Sequence, residues 1–148
     1  MMKIAIGGDH ASFDLKEPIF EHLTAQGYDV TDLGVERGGK IDYPVIAEKI
    51  ANAVAAGEYD FGIVICGTGI GVSIAANKVK GIRCAALSDT YTARLTREHN
   101  DSNMMALGAR VIGPELAKDI VDMFIKTPCP HEERHMRRVN LITEIENR

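Results

Sequence analysis

A single α/β domain, a three-layer, Rossmann-like doubly wound sheet of five parallel strands with a C-terminal helix, is predicted by three observations. Short apolar, β-branched runs alternate with amphipathic segments from end to end. The central run, residues 61–65, carries no charge, the pattern of a strand buried on both faces. No repeat, low-complexity tract or linker divides the 148 residues, so residues 1–148 form one domain. A chain of this length buries about 70% of its unfolded surface and needs no staples.

The elements follow in order. Residues 3–7 read as the first strand, running into the turn Gly7-Gly8-Asp9-His10. A helix over residues 14–26 meets Pro18 beyond its first turn, where proline removes a backbone hydrogen bond, so a late start or a bend is expected. Strand two covers residues 29–33, and a helix over 44–56 opens on Pro44, the position proline favours. The strand at 61–65 leads through a glycine-rich turn to a short helix at 71–77. Strands at 84–87 and 104–107 enclose a helix at 89–98, and helices at 114–125 and 135–146 complete the chain.

Composition excludes several classes. The formal charge of -4 is mild and unsegregated, which offers no basic face to nucleic acid and no polybasic segment to a membrane. The opening MMKIAIGGDH has too short an apolar run for a signal peptide, no stretch approaches a transmembrane length, and a cytoplasmic location is expected by default. Three widely spaced cysteines fit a reducing compartment better than a disulfide framework. Cys84 reads as core, and Cys129, between Pro128 and Pro130, as an exposed incidental thiol.

The chemistry concentrates in FGIVICGTGIGVSIAANK, residues 61–78, where a buried strand delivers Cys66 to a turn containing Gly67, Gly69 and Gly71. Glycines there take backbone angles closed to other residues and leave amide N–H groups open to a ligand. The following helix directs its positive end at the same point, which favours a thiolate and suits Cys66 to act as a base. In an open parallel sheet, ligands bind outside the carboxyl ends of the strands. Asp9 and His10 fall there after the first strand, although a turn aspartate capping a helix explains Asp9 equally well. Asp42 or Tyr43 can reach the same cleft, or simply begin a helix. His99, near a helix C-terminus, gains from the dipole when protonated and suits an acid, whereas His22 reads as a solvated mid-helix residue. Arg110 closes the last strand, and Arg134 and Arg138, four residues apart on one helix face, suit a phosphate dianion.

Six blocks in register, GGDHASFDLK, DYP, CGTGIGVSIAANK, REHNDSN, ALGARVIG and RHMRRV, cover nearly the whole chain and resemble the B-type ribose-5-phosphate isomerases, which share a superfamily with the galactose-6-phosphate isomerase subunits. The resemblance implies interconversion of an aldose phosphate, ribose 5-phosphate first, and its ketose through an enediolate, with no metal or other cofactor. It assigns Cys66 as the base between C1 and C2. Members lacking the cysteine carry glutamate at the position of Val72, so this chain is similar to the cysteine type. His99 would open the furanose ring and Asp9 would handle the opposite proton. Amides from Gly67 to Gly71 and the Thr68 hydroxyl would face the oxyanion, Asn100 would hold sugar oxygens, and His10, Arg110, Arg134 and Arg138 the phosphate, with His135 and Arg137 beside them. The partners implied are a small sugar phosphate and further copies of the chain, a homodimer or dimer of dimers, with His99 and Asn100 reaching in from the neighbour.

Three other readings have sequence features behind them. Six-carbon aldose phosphates, allose 6-phosphate or galactose 6-phosphate, fit the same loop and phosphate clamp. Gly67-Thr68-Gly69-Ile70-Gly71 after a strand, with Asp89 downstream, imitates a dinucleotide-binding fingerprint whose third glycine comes one place early. His131 to His135, HEERH, matches the H-E-x-x-H zinc hydrolase pattern, although Pro128 and Pro130 crowd its start. A non-catalytic subunit would have no need of Cys66, His99 and the three arginines together.

Overall fold

The computed structural model describes residues 1–148. Its elements are β1 (Lys3–Gly8), α1 (Phe13–Ala25), β2 (Asp29–Asp32), α2 (Tyr43–Ala55), β3 (Phe61–Cys66), α3 (Ile70–Ala76), β4 (Cys84–Ala86), α4 (Thr90–Asn100), β5 (Met104–Gly108), α5 (Pro114–Lys126) and α6 (Glu133–Glu146). All five strands are parallel, in the order β2-β1-β3-β5-β4. The chain leaves β1 toward one edge and returns to place β3 on its other side. This makes the β1–β3 boundary a topological switch point, where connections diverge and leave a crevice at the carboxyl ends.

Side-chain alternation sorts the strands' residues between two cores. Ile63 and Ile65 of β3, with Ile4, Ile6, Met105 and Leu107, pack against Leu15, Ile19 and Leu23 of α1, Ala93 of α4 and Ile120 and Phe124 of α5. Val64 and Cys66, with Ala5, Met104 and Ala106, face Ile46 and Ile50 of α2 and Val72 and Ala76 of α3. The period of two therefore points Cys66 toward the α2–α3 layer. Helix α6 lies outside these layers, packed on α4.

The expected elements are all present, with ends moved by a residue or two. Helix α1 begins at Phe13, so Pro18 does not delay it but sits inside the second turn. The carbonyl that loses its partner belongs to Asp14, whose side chain is exposed, so water can stand in for the missing N–H. Lys16, on the same helix, is buried and pairs with Asp32 at 3.0 Å and the Val35 carbonyl at 3.1 Å. The sequence carries no signal for that burial.

Phe124 is fully buried and meets Phe61 edge-on, with ring centroids 5.4 Å apart. Its truncation leaves a cavity under the α5 face. Phe124→Ala is expected to lower the unfolding free energy by about 3–5 kcal/mol, read from urea denaturation at unchanged m-value.

Candidate active site

The end of β3 and its turn are held from both sides. Ala109 N–H donates to the Cys66 carbonyl at 2.8 Å and Arg110 N–H to the Gly67 carbonyl at 3.0 Å, locking the turn to the chain leaving β5. Gly69 takes a left-handed backbone conformation (φ 80°) as the residue preceding α3, which aims its N–H at Cys66 Sγ, 3.2 Å away. Gly67 and Gly71 are needed for a different reason from the one expected. Neither has a positive φ; each leaves space. A Cβ on Gly67 would lie 3.2 Å from Arg110 Nη1, and one on Gly71 would lie 2.5 Å from the Tyr43 ring. Arg110 and Tyr43 thus approach the turn because two side chains are missing.

Asp9 stands beside this turn because Gly8 of β1 is in register with Ile65 of β3, and Asp9 N–H donates to the Ile65 carbonyl at 3.2 Å. Its carboxylate is buried and accepts from Ala11 N–H at 2.9 Å. That bond fixes a local turn, while Ser12 is the residue that precedes α1, so Asp9 is not the helix cap. His10 and Arg110 line one cleft of about 270 Å³. Arg37 borders it too, but Glu17 and Asp14 hold its guanidinium at 2.9 and 3.2 Å. Thr68 is exposed, and its hydroxyl accepts from Ile70 N–H at 3.2 Å.

The remaining predicted residues sit elsewhere. In a parallel sheet each connecting helix runs against the strands, so α4, which starts after the carboxyl end of β4, finishes at the amino edge. The Asn100 carbonyl there accepts from Arg83 Nε at 2.8 Å, and Arg83 immediately precedes β4. His99 stacks on His135 of α6 with ring centroids 4.1 Å apart. Arg134 and Arg138 are exposed at the same end of α6. Strand β3 alone spans about 16 Å, at roughly 3.3 Å per residue. The predicted residues of one chain therefore fall into two groups at opposite edges, Cys66, Thr68, Asp9, His10, Tyr43 and Arg110 in one and His99, Asn100, Arg134 and Arg138 in the other. Of the three arginines expected at the phosphate, Arg110 borders the carboxyl-edge cleft and Arg134 and Arg138 of the same chain do not, while the separation of His99 and Asn100 accords with the implied arrangement in which they reach in from a neighbouring copy.

Several expectations change on contact with tertiary structure. His22 is not simply solvated: its Nε2 lies 2.9 Å from Asp122 Oδ1 of α5. Cys129 is buried, with Sγ 3.8 Å from the Glu98 carbonyl, rather than exposed. Cys84 is core as expected, and burial pushes its thiol up to about 12. Asp89 caps α4, accepting from Thr92 N–H at 2.7 Å, and β5 separates its strand from β3, so it cannot serve a ligand in the Gly67 turn as a dinucleotide fingerprint would require. In HEERH only Glu133 onward is helical; His131 precedes α6 and the two histidines do not share a helical face.

Arg97 escaped sequence reasoning. It is buried over the Phe61 and Phe124 rings and donates to the Thr127 and Ser102 carbonyls and, at 3.2 Å, to Asp101. These bonds fix the end of α4 that carries His99. A cation in REHNDSN gives no hint of its burial; an aromatic pair waiting for it is a tertiary fact. No helix is long and apolar enough to cross a membrane.

A family model described as Ribose/Galactose Isomerase matches residues 4–142. The chain is 51% identical to ribose-5-phosphate isomerase B of Escherichia coli (strain K12), over 100% of this chain and 99% of that protein. It is 40% identical to the galactose-6-phosphate isomerase subunit LacB of Clostridium acetobutylicum, over 97% of this chain and 83% of the relative. The solved structure of Clostridium thermocellum ribose-5-phosphate isomerase B superposes with a TM-score of 0.95 at 52% identity, covering 99% of this chain and 98% of that one.

Desolvation, the neighbouring His99 and Arg134 together hold the His135 imidazole below its ordinary range, with Glu132 opposing them. The unfolded chain therefore takes up this proton first as the medium is acidified. The stability that neutral His135 contributes is present above about pH 6.5 and is lost as pH falls below it. Thermal melts from pH 7.5 to 5 should show native Tm falling more steeply than that of His135→Asn, and parallel curves would contradict this account.

Proposed function

Because this chain belongs to the ribose/galactose isomerase family, we propose that it interconverts D-ribose 5-phosphate and D-ribulose 5-phosphate through an enediolate, with Cys66 as the base. It is an isomerase, an intramolecular oxidoreductase that moves hydrogen within one sugar phosphate. The observation that carries the residue assignment is the Cys66 thiol at the switch point, under the Gly69 N–H and beside Asp9.

The reaction follows from that geometry. The Cys66 thiolate removes the proton from C2 of the open-chain aldose, and the electrons flow into the carbonyl to give an enediolate. Asp9 moves the proton between O1 and O2, and the thiol returns its proton to C1. Negative charge develops on oxygen during abstraction, where fixed donors from the Gly67–Gly71 turn and the Thr68 hydroxyl meet it; one such donor contributes about 2.7–4 kcal/mol to lowering the barrier. Tyr43, against Gly71, walls the turn. A phosphate held by His10 and Arg110 anchors the sugar so that its binding energy is expressed as orientation of the reacting carbons.

Ring opening needs His99, and sugar oxygens need Asn100. Both lie at the wrong edge of the same chain, as do Arg134 and Arg138. A second copy supplies them, and two-fold symmetry makes two identical sites from four half-sites. The apolar side chains left exposed on α3 (Ile70, Ile74) and α6 (Leu141, Ile142, Ile145) support such an association, as a dimer or a dimer of dimers.

Five carbons rather than six is the reading favoured by the ribose-5-phosphate relatives at 51 and 52% identity over the full chain, against 40% for the galactose-6-phosphate isomerase subunit. The test is a coupled assay of the purified protein with ribose 5-phosphate, allose 6-phosphate and galactose 6-phosphate. The pentose phosphate should give the highest kcat/KM, and a higher value for either hexose phosphate would reassign the substrate. Cys66→Ala should abolish exchange of the C2 proton with solvent while sugar-phosphate binding persists; retained exchange would remove Cys66 from the mechanism.

Sharing of the site is tested by mixing inactive variants. Cys66→Ala and His99→Asn, unfolded and refolded together in equal amounts, should recover about a quarter of native activity, since half the dimers are mixed and each mixed dimer holds one intact site. No recovery from well-folded mixed dimers would place both residues in one chain's site.

A further inference from the structure

The isomerisation proposed above uses none of Asp101, Cys129 and His131, yet the fold brings them together from two stretches of chain. Asp101 is the left-handed residue that ends α4, and Cys129 and His131 lie in the segment leading into α6. One carboxylate oxygen, the thiol sulfur and one imidazole nitrogen all lie within 4.8 Å of one another. His131 Nε2 and Asp101 Oδ2 are 3.5 Å apart. Bonds of about 2.0–2.1 Å in a tetrahedron place two ligand atoms roughly 3.3 Å apart, so this edge already has the dimension of a zinc site. The other Asp101 oxygen is held by Arg97 Nη1 at 3.2 Å, which fixes the carboxylate plane and leaves Oδ2 turned to His131.

Backbone conformation at the cluster agrees. Asp101 (φ 45°) and His131 (φ 53°) are the two non-glycine residues with positive φ in the whole chain, and both supply donors. A histidine in that region costs conformational energy that the solvent-exposed ring does not regain by packing. Cys129 is buried, Asp101 half-buried and His131 exposed, so the cluster runs from the interior out to solvent. Arg83 Nη2, 3.8 Å from Oδ2, and Arg97 oppose a cation here. A thiolate and a carboxylate supply the two negative charges that balance a divalent ion. Sulfur and imidazole donors select a borderline transition metal over magnesium or calcium.

We propose that Asp101 Oδ2, Cys129 Sγ and neutral His131 Nε2 form a tetrahedral site for zinc-class divalent ions, with water as the fourth ligand. On binding, the metal–sulfur bond replaces the thiol S–H and the proton leaves to solvent, with no change of oxidation state. The ion ties the end of α4 to the entry of α6, the two helices whose stacking joins His99 to His135. It is a structural tie that shares His131 with the HEERH pattern but uses neither Glu132 nor His135, and it does not rest on the isomerase assignment.

The test uses metal-free full-length protein carrying Cys66→Ala, which removes the thiol that ends β3 as a competing sulfur ligand. Titration with Co²⁺ should give one equivalent of bound ion with a sulfur-to-cobalt charge-transfer band and tetrahedral ligand-field absorption. Zn²⁺ should displace it and raise Tm. Both effects should vanish on adding Cys129→Ser or His131→Asn, the latter chosen because asparagine tolerates left-handed backbone, while the metal-free Tm of each stays near that of the parent. Absence of the charge-transfer band, or a band and Tm rise that survive both substitutions, would overturn the site.

Discussion

Parallel strand direction is the constraint on which the rest of this molecule depends. When every strand runs the same way, all strand carboxyl ends gather at one edge of the sheet and the connecting helices end at the other. Cys66 ends a strand, Asp9 and Arg110 follow strands, and His99 and Asn100 finish a helix. Their chemistry is therefore split between two edges by topology alone, before any side chain is considered. The symmetric pair proposed above would rejoin them, because each copy offers at one edge what the other lacks there.

Within the carboxyl-edge half, the main chain does most of the positioning. The left-handed Gly69 delivers its N–H to the sulfur, and the β5 exit holds the turn through two backbone hydrogen bonds. Such donors are fixed by folding and do not reorganise as charge develops on a substrate oxygen, which is why preorganised amides are effective. Empty space matters as much: Arg110 and Tyr43 close on the turn through the gaps at Gly67 and Gly71. At the opposite edge Arg97 plays the organising part, a buried cation lying over a pair of phenylalanine rings, whose hydrogen bonds define where α4 stops.

Order along the chain was readable because hydrophobic periodicity is local. All eleven elements, the strand-to-turn delivery of Cys66 and the proline that opens α2 follow from windows of a few residues. Burial of polar groups was not readable in this way. Lys16 looks like a surface lysine until Asp32 and the Val35 carbonyl arrive from another segment, and His22 looks solvated until Asp122 approaches from a helix one hundred positions away. Cys129, flanked by prolines, reads as exposed because nothing nearby in sequence reveals that the α4 terminus covers it.

The sequence by itself determined the fold class, the position of the thiol at a strand end and the set of residue types available for sugar-phosphate chemistry, since each is encoded in short-range pattern. Only the tertiary structure decided which of those residues meet. Contact depends on strand order and direction, which arise from packing between segments far apart in the chain, and that packing separated His99 from Cys66 while drawing Asp101, Cys129 and His131 together.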